Sequence, residues 1–225
     1  MSNMTRTLEP ELMTDDDQAR AYAEADFEAP NSNFVRLFQE TFAGRSINGA
    51  FLDLGCGTAD VTMRLARAYP NSQIYAIDGS AAMLKYAQEA LSQNSEVMKR
   101  ITLIQGYIPE ASIPQQPYGA IVSNSLLHHL PDPQALWQTI KLYGQPGTLV
   151  FVADLFRPAN QDEARRIVET YSANEPEVLK RDFYNSLLAA FTVEEAQSQL
   201  QQAGLSNFQA RAISDRHLLI WGEMR

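Results

Sequence analysis

The segment FLDLGCGTAD, residues 51–60, runs from an apolar strand through Gly55-Cys56-Gly57 into a helix. The strand is GAFLDLG (49–55), and the helix is DVTMRLARAY (60–69), stopped by Pro70-Asn71. So tight a turn needs glycine for two reasons. The backbone takes conformations that a β-carbon forbids, and a ligand must approach the main chain closely. Asp53 lies two residues before Gly55, and Asp78 ends the next apolar run. An acid about 20 residues beyond a glycine turn is where a nucleotide-binding sheet places its ribose contact. The dinucleotide fingerprint Gly-x-Gly-x-x-Gly is not completed, because Asp60 stands where the third glycine belongs. A carboxylate there opposes a pyrophosphate but not a ligand carrying ammonium and sulfonium charges. The structural alternatives are that Asp53 caps the turn and Asp78 caps the next helix.

Outward from this turn, short apolar runs alternate with helical segments. QIYAID (73–78), ITLIQG (101–106), YGAIVSN (118–124) and GTLVFVAD (147–154) read as strands. SAAMLKYAQEALSQ (80–93), with Ser80 as N-cap, and the segment from Pro133 to Tyr143 read as helices. Strands that are apolar throughout and separated by helices imply a parallel sheet covered on both faces. The last third reads as helices over 161–171, 177–190 and 192–204, the last capped by Thr192 and ended by Gly204. SNFQARAI (206–213) and RHLLIWGE (216–223) then read as a hairpin joined at Ser214-Asp215. Upstream, residues 1–17 read as a loosely held tail whose Asp15-Asp16-Asp17 run suits a helix N-terminus. QARAYAEADFE (18–28) reads as a helix broken by Pro30-Asn31-Ser32, and NFVRLFQETF (33–42) as the next. The expected organisation is a helical extension over 1–46 and an α/β domain over 47–225.

The apolar share of 45% is that of a packed globular protein. No apolar run approaches the roughly 18 residues of a membrane span, and the N-terminus lacks a secretory pattern. The expected compartment is therefore the cytoplasm. Cys56 is the only cysteine, which excludes an intrachain disulfide and a multi-cysteine metal site. Cys56 reads as a small packed residue in the glycine turn, not as a nucleophile. Acidic residues outnumber basic ones 27 to 18, for a formal charge of −9. That balance disfavours nucleic acid as a partner. No compact His/Asp/Glu cluster is visible, so no metal is expected.

FLDLGCGTAD resembles motif I of the class I S-adenosylmethionine-dependent methyltransferases. IDGSAAML (77–84) resembles their second-strand acidic motif, and IVSNSLLHHLPDP (121–133) the segment after the fourth strand in the small-molecule branch. The resemblance spans about residues 47–154. It implies a doubly wound, mostly parallel seven-stranded sheet ending in an antiparallel β-hairpin, with S-adenosyl-L-methionine as cofactor and S-adenosyl-L-homocysteine as product. By that resemblance Asp53, Gly55, Cys56 and Gly57 line the methionine end, with Asp53 near its ammonium group. Asp78 accepts hydrogen bonds from the ribose hydroxyls, and Gly79 and Met83 lie along the adenosine. QGYI (105–108) departs from the pattern, since many relatives carry an acid where Tyr107 stands; Tyr107 or Ile108 flanks the adenine instead. Asn124 completes the expected cofactor set.

Methyl transfer needs in-line approach of a nucleophile and removal of any proton it carries. Ligands of open α/β sheets bind outside the carboxyl ends of the strands, so acceptor residues should follow strands four and five. His128 and His129, two of the three histidines, stand there as candidate bases; helix capping or packing is the alternative. Asp154 and Arg157 are candidates for a polar acceptor group, or else an ion pair anchoring a loop. Tyr22 and Phe27, with Phe183 and Tyr184, are candidate lid residues favouring a hydrophobic or aromatic acceptor, or else core. The reading is methyl transfer to an O, N or C atom of a small molecule by a monomer or homodimer. The alternatives are a carboxy-S-adenosylmethionine-forming or other use of the cofactor, and a non-catalytic cofactor-binding partner protein.

Overall fold

A computed structural model describes residues 4–9 and 16–225. Asp15, of the acidic run expected at a helix start, lies outside them. The elements are α1 (Asp16–Glu24), α2 (Glu28–Thr41), β1 (Ala50–Leu54), α3 (Asp60–Ala68), β2 (Ile74–Asp78), α4 (Ala81–Ser92), α5 (Ser95–Met98), β3 (Ile101–Gln105) and β4 (Tyr118–Asn124). A 3-10 turn (Leu127–His129) follows, then α6 (Gln134–Tyr143), β5 (Leu149–Leu155), α7 (Gln161–Ser172), α8 (Glu177–Ala189), α9 (Val193–Gln202), β6 (Gln209–Ala212) and β7 (His217–Glu223). The sheet order is β3-β2-β1-β4-β5-β7-β6. β1 to β5 run parallel, and β7 lies antiparallel between β5 and β6. This is the doubly wound, seven-stranded sheet with a terminal hairpin that the sequence implied. The strand order reverses between β1 and β4, which is where open α/β sheets hold ligands.

The period-2 geometry of a strand explains why β1 is apolar almost throughout. Ala50, Leu52 and Leu54 face one core, with Tyr118, Trp137 and Ile140, whereas Phe51 faces the other, with Phe34, Phe38, Met63 and Phe151. Helices cover both faces, so no position of the strand meets solvent. Phe38 is fully buried and packs edge-on against Phe42, Tyr69 and Phe151.

Local sequence signals set several boundaries. Ser80 accepts from the Met83 N–H as the N-cap of α4, and Thr192 and Glu195 form a reciprocal capping box on α9. Pro30 does not break a helix, contrary to expectation. It sits in the first turn of α2, where its missing N–H is not required by the helix. The expected loose tail is also corrected: Thr7 N donates to Leu188 O at 3.0 Å, and Arg6 donates to Ala189 O, His128 O and Leu130 O. No helix among the described residues is long and apolar enough to cross a membrane.

Candidate functional site

The glycine turn after β1 is built by two backbone bonds, Gly55 N and Cys56 N both donating to Ile77 O at 2.8 and 2.9 Å. Gly55 has φ +77, and a β-carbon there would sit 2.8 Å from Leu126 of the segment after β4. Glycine thus lets the two edges of the β1/β4 crevice meet. Asp78 closes the rim: its Oδ2 accepts from Gly57 N and its Oδ1 from Ser80 N, both at 2.8 Å. Each carboxylate oxygen keeps a further lone pair for a ligand hydroxyl. Burial raises the Asp78 pKa, against those two donors and the nearby His129. Asp53 is buried at the end of β1, where it accepts from the Thr62 hydroxyl at 2.5 Å. Burial pushes its carboxyl up to about 7; Thr62 works against the shift, and the Asp78 charge adds to it.

Of the other residues expected at the cofactor, Gly79, Met83 and Tyr107 lie beside Gly57 and Asp78. Gly79 lies under the Tyr107 ring, which a β-carbon would meet at 2.5 Å, and Tyr107 itself is 55% exposed. Met83 is buried beneath Gly57, and Ile108 is half-buried against the core. Asn124 ends β4 in register with Ala153. Burial, with Asp78 and Asp53, raises the Cys56 thiol well above its ordinary value, so it stays protonated. Tyr22 of α1 stacks 4.6 Å from Phe27. Burial, with the charges of Asp60 and Asp78, pushes its phenol up to about 12, so Tyr22 faces the acidic rim.

A second group lies beyond β4. Ser125 takes a left-handed φ of 57 and turns the chain into the 3-10 turn that carries both histidines. Asp154 organises this turn. Its Oδ2 accepts from Leu127 N at 2.7 Å, and its Oδ1 meets His128 Nδ1 at 2.6 Å. Burial alone would depress His128, but Asp154 and Glu9 outweigh it and hold the imidazole above its ordinary value. Glu9 was not anticipated. Its Oε2 is 2.6 Å from His129 Nδ1 and 3.9 Å from His128 Nε2, and its Oε1 accepts from the Ser186 hydroxyl at 2.8 Å. Burial would raise Glu9, but the two histidines and Ser186 hold it below its usual range. The structure therefore assembles a compact His/Glu cluster where the sequence showed none, because Glu9 comes from the N-terminal segment, far from the histidines in sequence.

Two acceptor candidates are engaged within the chain. Asp154 and Arg157 neither pair nor open to an acceptor. Asp154 holds the histidine turn, while Arg157, 4% exposed, donates to Ala190 O and Glu195. Phe183 and Tyr184 pack against Leu155, Ala164, Ile167, Leu187 and Ala190, tying α8 to α7 and β5. Both rings stay half-buried.

A family model described as a methyltransferase domain matches residues 46–204. The chain belongs to the class I S-adenosylmethionine-dependent methyltransferases. It is 33% identical over 124 residues to a trans-aconitate 2-methyltransferase of Deinococcus radiodurans, covering 55% of this chain and 43% of that protein. It is 28% identical over 166 residues to a carboxy-S-adenosyl-L-methionine synthase of Trichlorobacter lovleyi, covering 68% and 67%. The chain thus spans less than half the length of the Deinococcus relative. In fold it is similar to a SAM-dependent methyltransferase from Aquifex aeolicus, with a TM-score of 0.67 and 14% identity over 92% of this chain and 97% of that one. It is also similar to the plantazolicin methyltransferase BpumL bound to SAH, with a TM-score of 0.67 and 14% identity over 93% and 90%. The rim fits an adenosyl ligand on chemistry of its own: Asp78 offers acceptors for a diol, Asp53 a counter-charge for an ammonium group, and Tyr107 an exposed ring for a base.

Proposed function

We propose that the chain transfers a methyl group from S-adenosyl-L-methionine to a nucleophilic atom of a small acceptor held beside Glu9, His128 and His129. When bound, the cofactor supplies an electrophilic methyl on a sulfonium. Asp78 accepts from the ribose hydroxyls, Asp53 faces the ammonium, and Gly79, Met83, Tyr107 and Ile108 flank the adenosine. Cys56 contributes its backbone and shape. Tyr22 of α1 closes the rim, with Phe27, just before α2, stacked on it. The observation that carries this reading is placement: the Asp78-clasped glycine turn and the His128/His129 turn end adjacent strands β1 and β4 at the switch point, with Leu126 touching the Gly55 position. Arg6 and Glu9 strap the N-terminal segment over the histidine turn, which favours an acceptor small enough to fit beneath it. Exclusion of water strengthens electrostatic contacts there.

The test is methyl transfer from labelled S-adenosylmethionine to a panel of small hydroxy, carboxy and amino acceptors, read as S-adenosylhomocysteine released. Turnover that falls in His128→Ala, while S-adenosylhomocysteine affinity holds, supports the reading. Equal turnover in wild type and His128→Ala counts against an acceptor beside the histidines. Formation of a carboxylated cofactor would move the function to that of the Trichlorobacter relative.

A further inference from the structure

Three buried polar atoms without a hydrogen-bond partner converge after β4: Oε2 of Glu9, Nε2 of His128 and Nδ1 of His129. Among the described side chains the only other such atom is Nε of Arg157. An unpaired buried polar atom costs about 1–3 kcal/mol, so three in one place call for a common partner. They lie within 4.8 Å of one another. The contact between His129 and Glu9 is short, 2.6 Å, and is an ion pair when the imidazole is protonated. The side chains of His128 and Glu9 are 3% and 9% exposed.

The donor chemistry is specific. With Nδ1 of His128 bonded to Asp154, Nε2 faces the cluster and offers its lone pair there when the ring is neutral. Two imidazole nitrogens and one carboxylate oxygen facing one point form a set for a divalent transition ion. Nitrogen and oxygen ligands about 2.0–2.2 Å from a tetrahedral ion stand about 3.4 Å apart; the 3.9 Å pair lies near that value, and the 2.6 Å pair must open on binding. The supporting shell has the usual form too, a carboxylate on the far nitrogen of His128 and a hydroxyl on the far oxygen of Glu9. Glu9 and Asp154 supply two negative charges, while Arg6 directs its N–H groups to main-chain carbonyls.

We propose that Glu9, His128 and His129 bind a divalent transition-metal ion of the zinc type, leaving a fourth position for an oxygen of the acceptor. This deepens the reading above and rests on it. Three protein ligands and an open position are the catalytic arrangement. An acceptor hydroxyl ligated there gives its proton to water. Its oxygen then forms the bond to the methyl carbon as the carbon–sulfur bond breaks, and that electron pair stays on sulfur.

The test uses untagged full-length protein, stripped with chelator and titrated with cobalt(II), whose visible d–d bands report coordination. The expected result is one equivalent bound with four- or five-coordinate bands. Those bands disappear in Glu9→Gln, whose strap position leaves the core intact, and in His129→Ala. Asp154→Asn weakens binding about 10–100-fold. Wild type showing only the spectrum of aqueous cobalt, or Glu9→Gln binding as wild type does, overturns the site. S-adenosylhomocysteine binding is measured on the same samples. If it persists while cobalt does not bind, the metal site alone fails; if it is absent from wild type, the proposed function fails.

Discussion

Replacing Thr62 by valine removes one hydrogen bond without changing the side-chain shape, and its effect falls on Asp53. The Thr62 hydroxyl donates to Asp53 Oδ2 at 2.5 Å and is what holds the buried carboxyl down against desolvation. A hydrogen bond to a charged group contributes about 1.5–3 kcal/mol, which at 1.36 kcal/mol per pKa unit is about 1–2 units. Asp53, at about 7 in the wild type, should move to about 8–9 in Thr62→Val. If only ionised Asp53 binds the cofactor's ammonium, S-adenosylhomocysteine affinity rises with pH through that value. At pH near 7.5 the variant should bind about 3- to 25-fold more weakly, with the gap closing by pH ~9.5. Calorimetric titration across that range reads both curves. The same group acts on stability. An aspartate whose folded pKa is raised from 3.8 to about 7 favours the fold fully below the lower value and loses that contribution as pH rises to the upper one. The ligand-free protein should therefore lose about 1 kcal/mol from this source between pH ~6 and pH ~8. Identical pH midpoints for ligand binding in wild type and Thr62→Val would refute the reasoning.

Gly79→Val drives side-chain atoms into the Tyr107 ring; an overpacking cost of about 1–3 kcal/mol should appear as about 5- to 150-fold weaker S-adenosylhomocysteine binding by calorimetry. Arg6→Ala removes three bonds to carbonyls and a stacking contact on Phe191. It should cost about 1–3 kcal/mol in urea unfolding and lower kcat while leaving S-adenosylhomocysteine affinity in place. Phe38→Ala empties the centre of one core and should cost about 3–5 kcal/mol, read as a lower urea midpoint at unchanged slope.

The parallel sheet was legible because its signals are local. The apolar runs, the Gly55-Cys56-Gly57 turn and the Ser80 and Thr192 caps all lie within a few residues of what they determine. Asp78 was legible by its fixed distance from the turn. The four-residue helix α5 was not, being too short to show a period. Pro30 misled because a proline in a first helical turn and one ending a helix look alike without the neighbouring packing. Glu9 and Arg6 were invisible for another reason. They belong to a polar N-terminal segment with no periodicity, and Arg6 meets the His128 carbonyl across 122 residues of sequence. Phe183 and Tyr184 gave a genuine helical pattern, but periodicity alone does not say whether a face meets a ligand or another helix. Asp154 and Arg157, close in sequence, turn to different partners because β5 ends between them.

The central claim is tested most directly by native mass spectrometry of the full-length chain with added S-adenosylhomocysteine. One ligand per chain, lost or greatly weakened in Asp78→Ala at unchanged fold, is the predicted result. A wild-type spectrum with no bound ligand at concentrations that saturate other methyltransferases would contradict it.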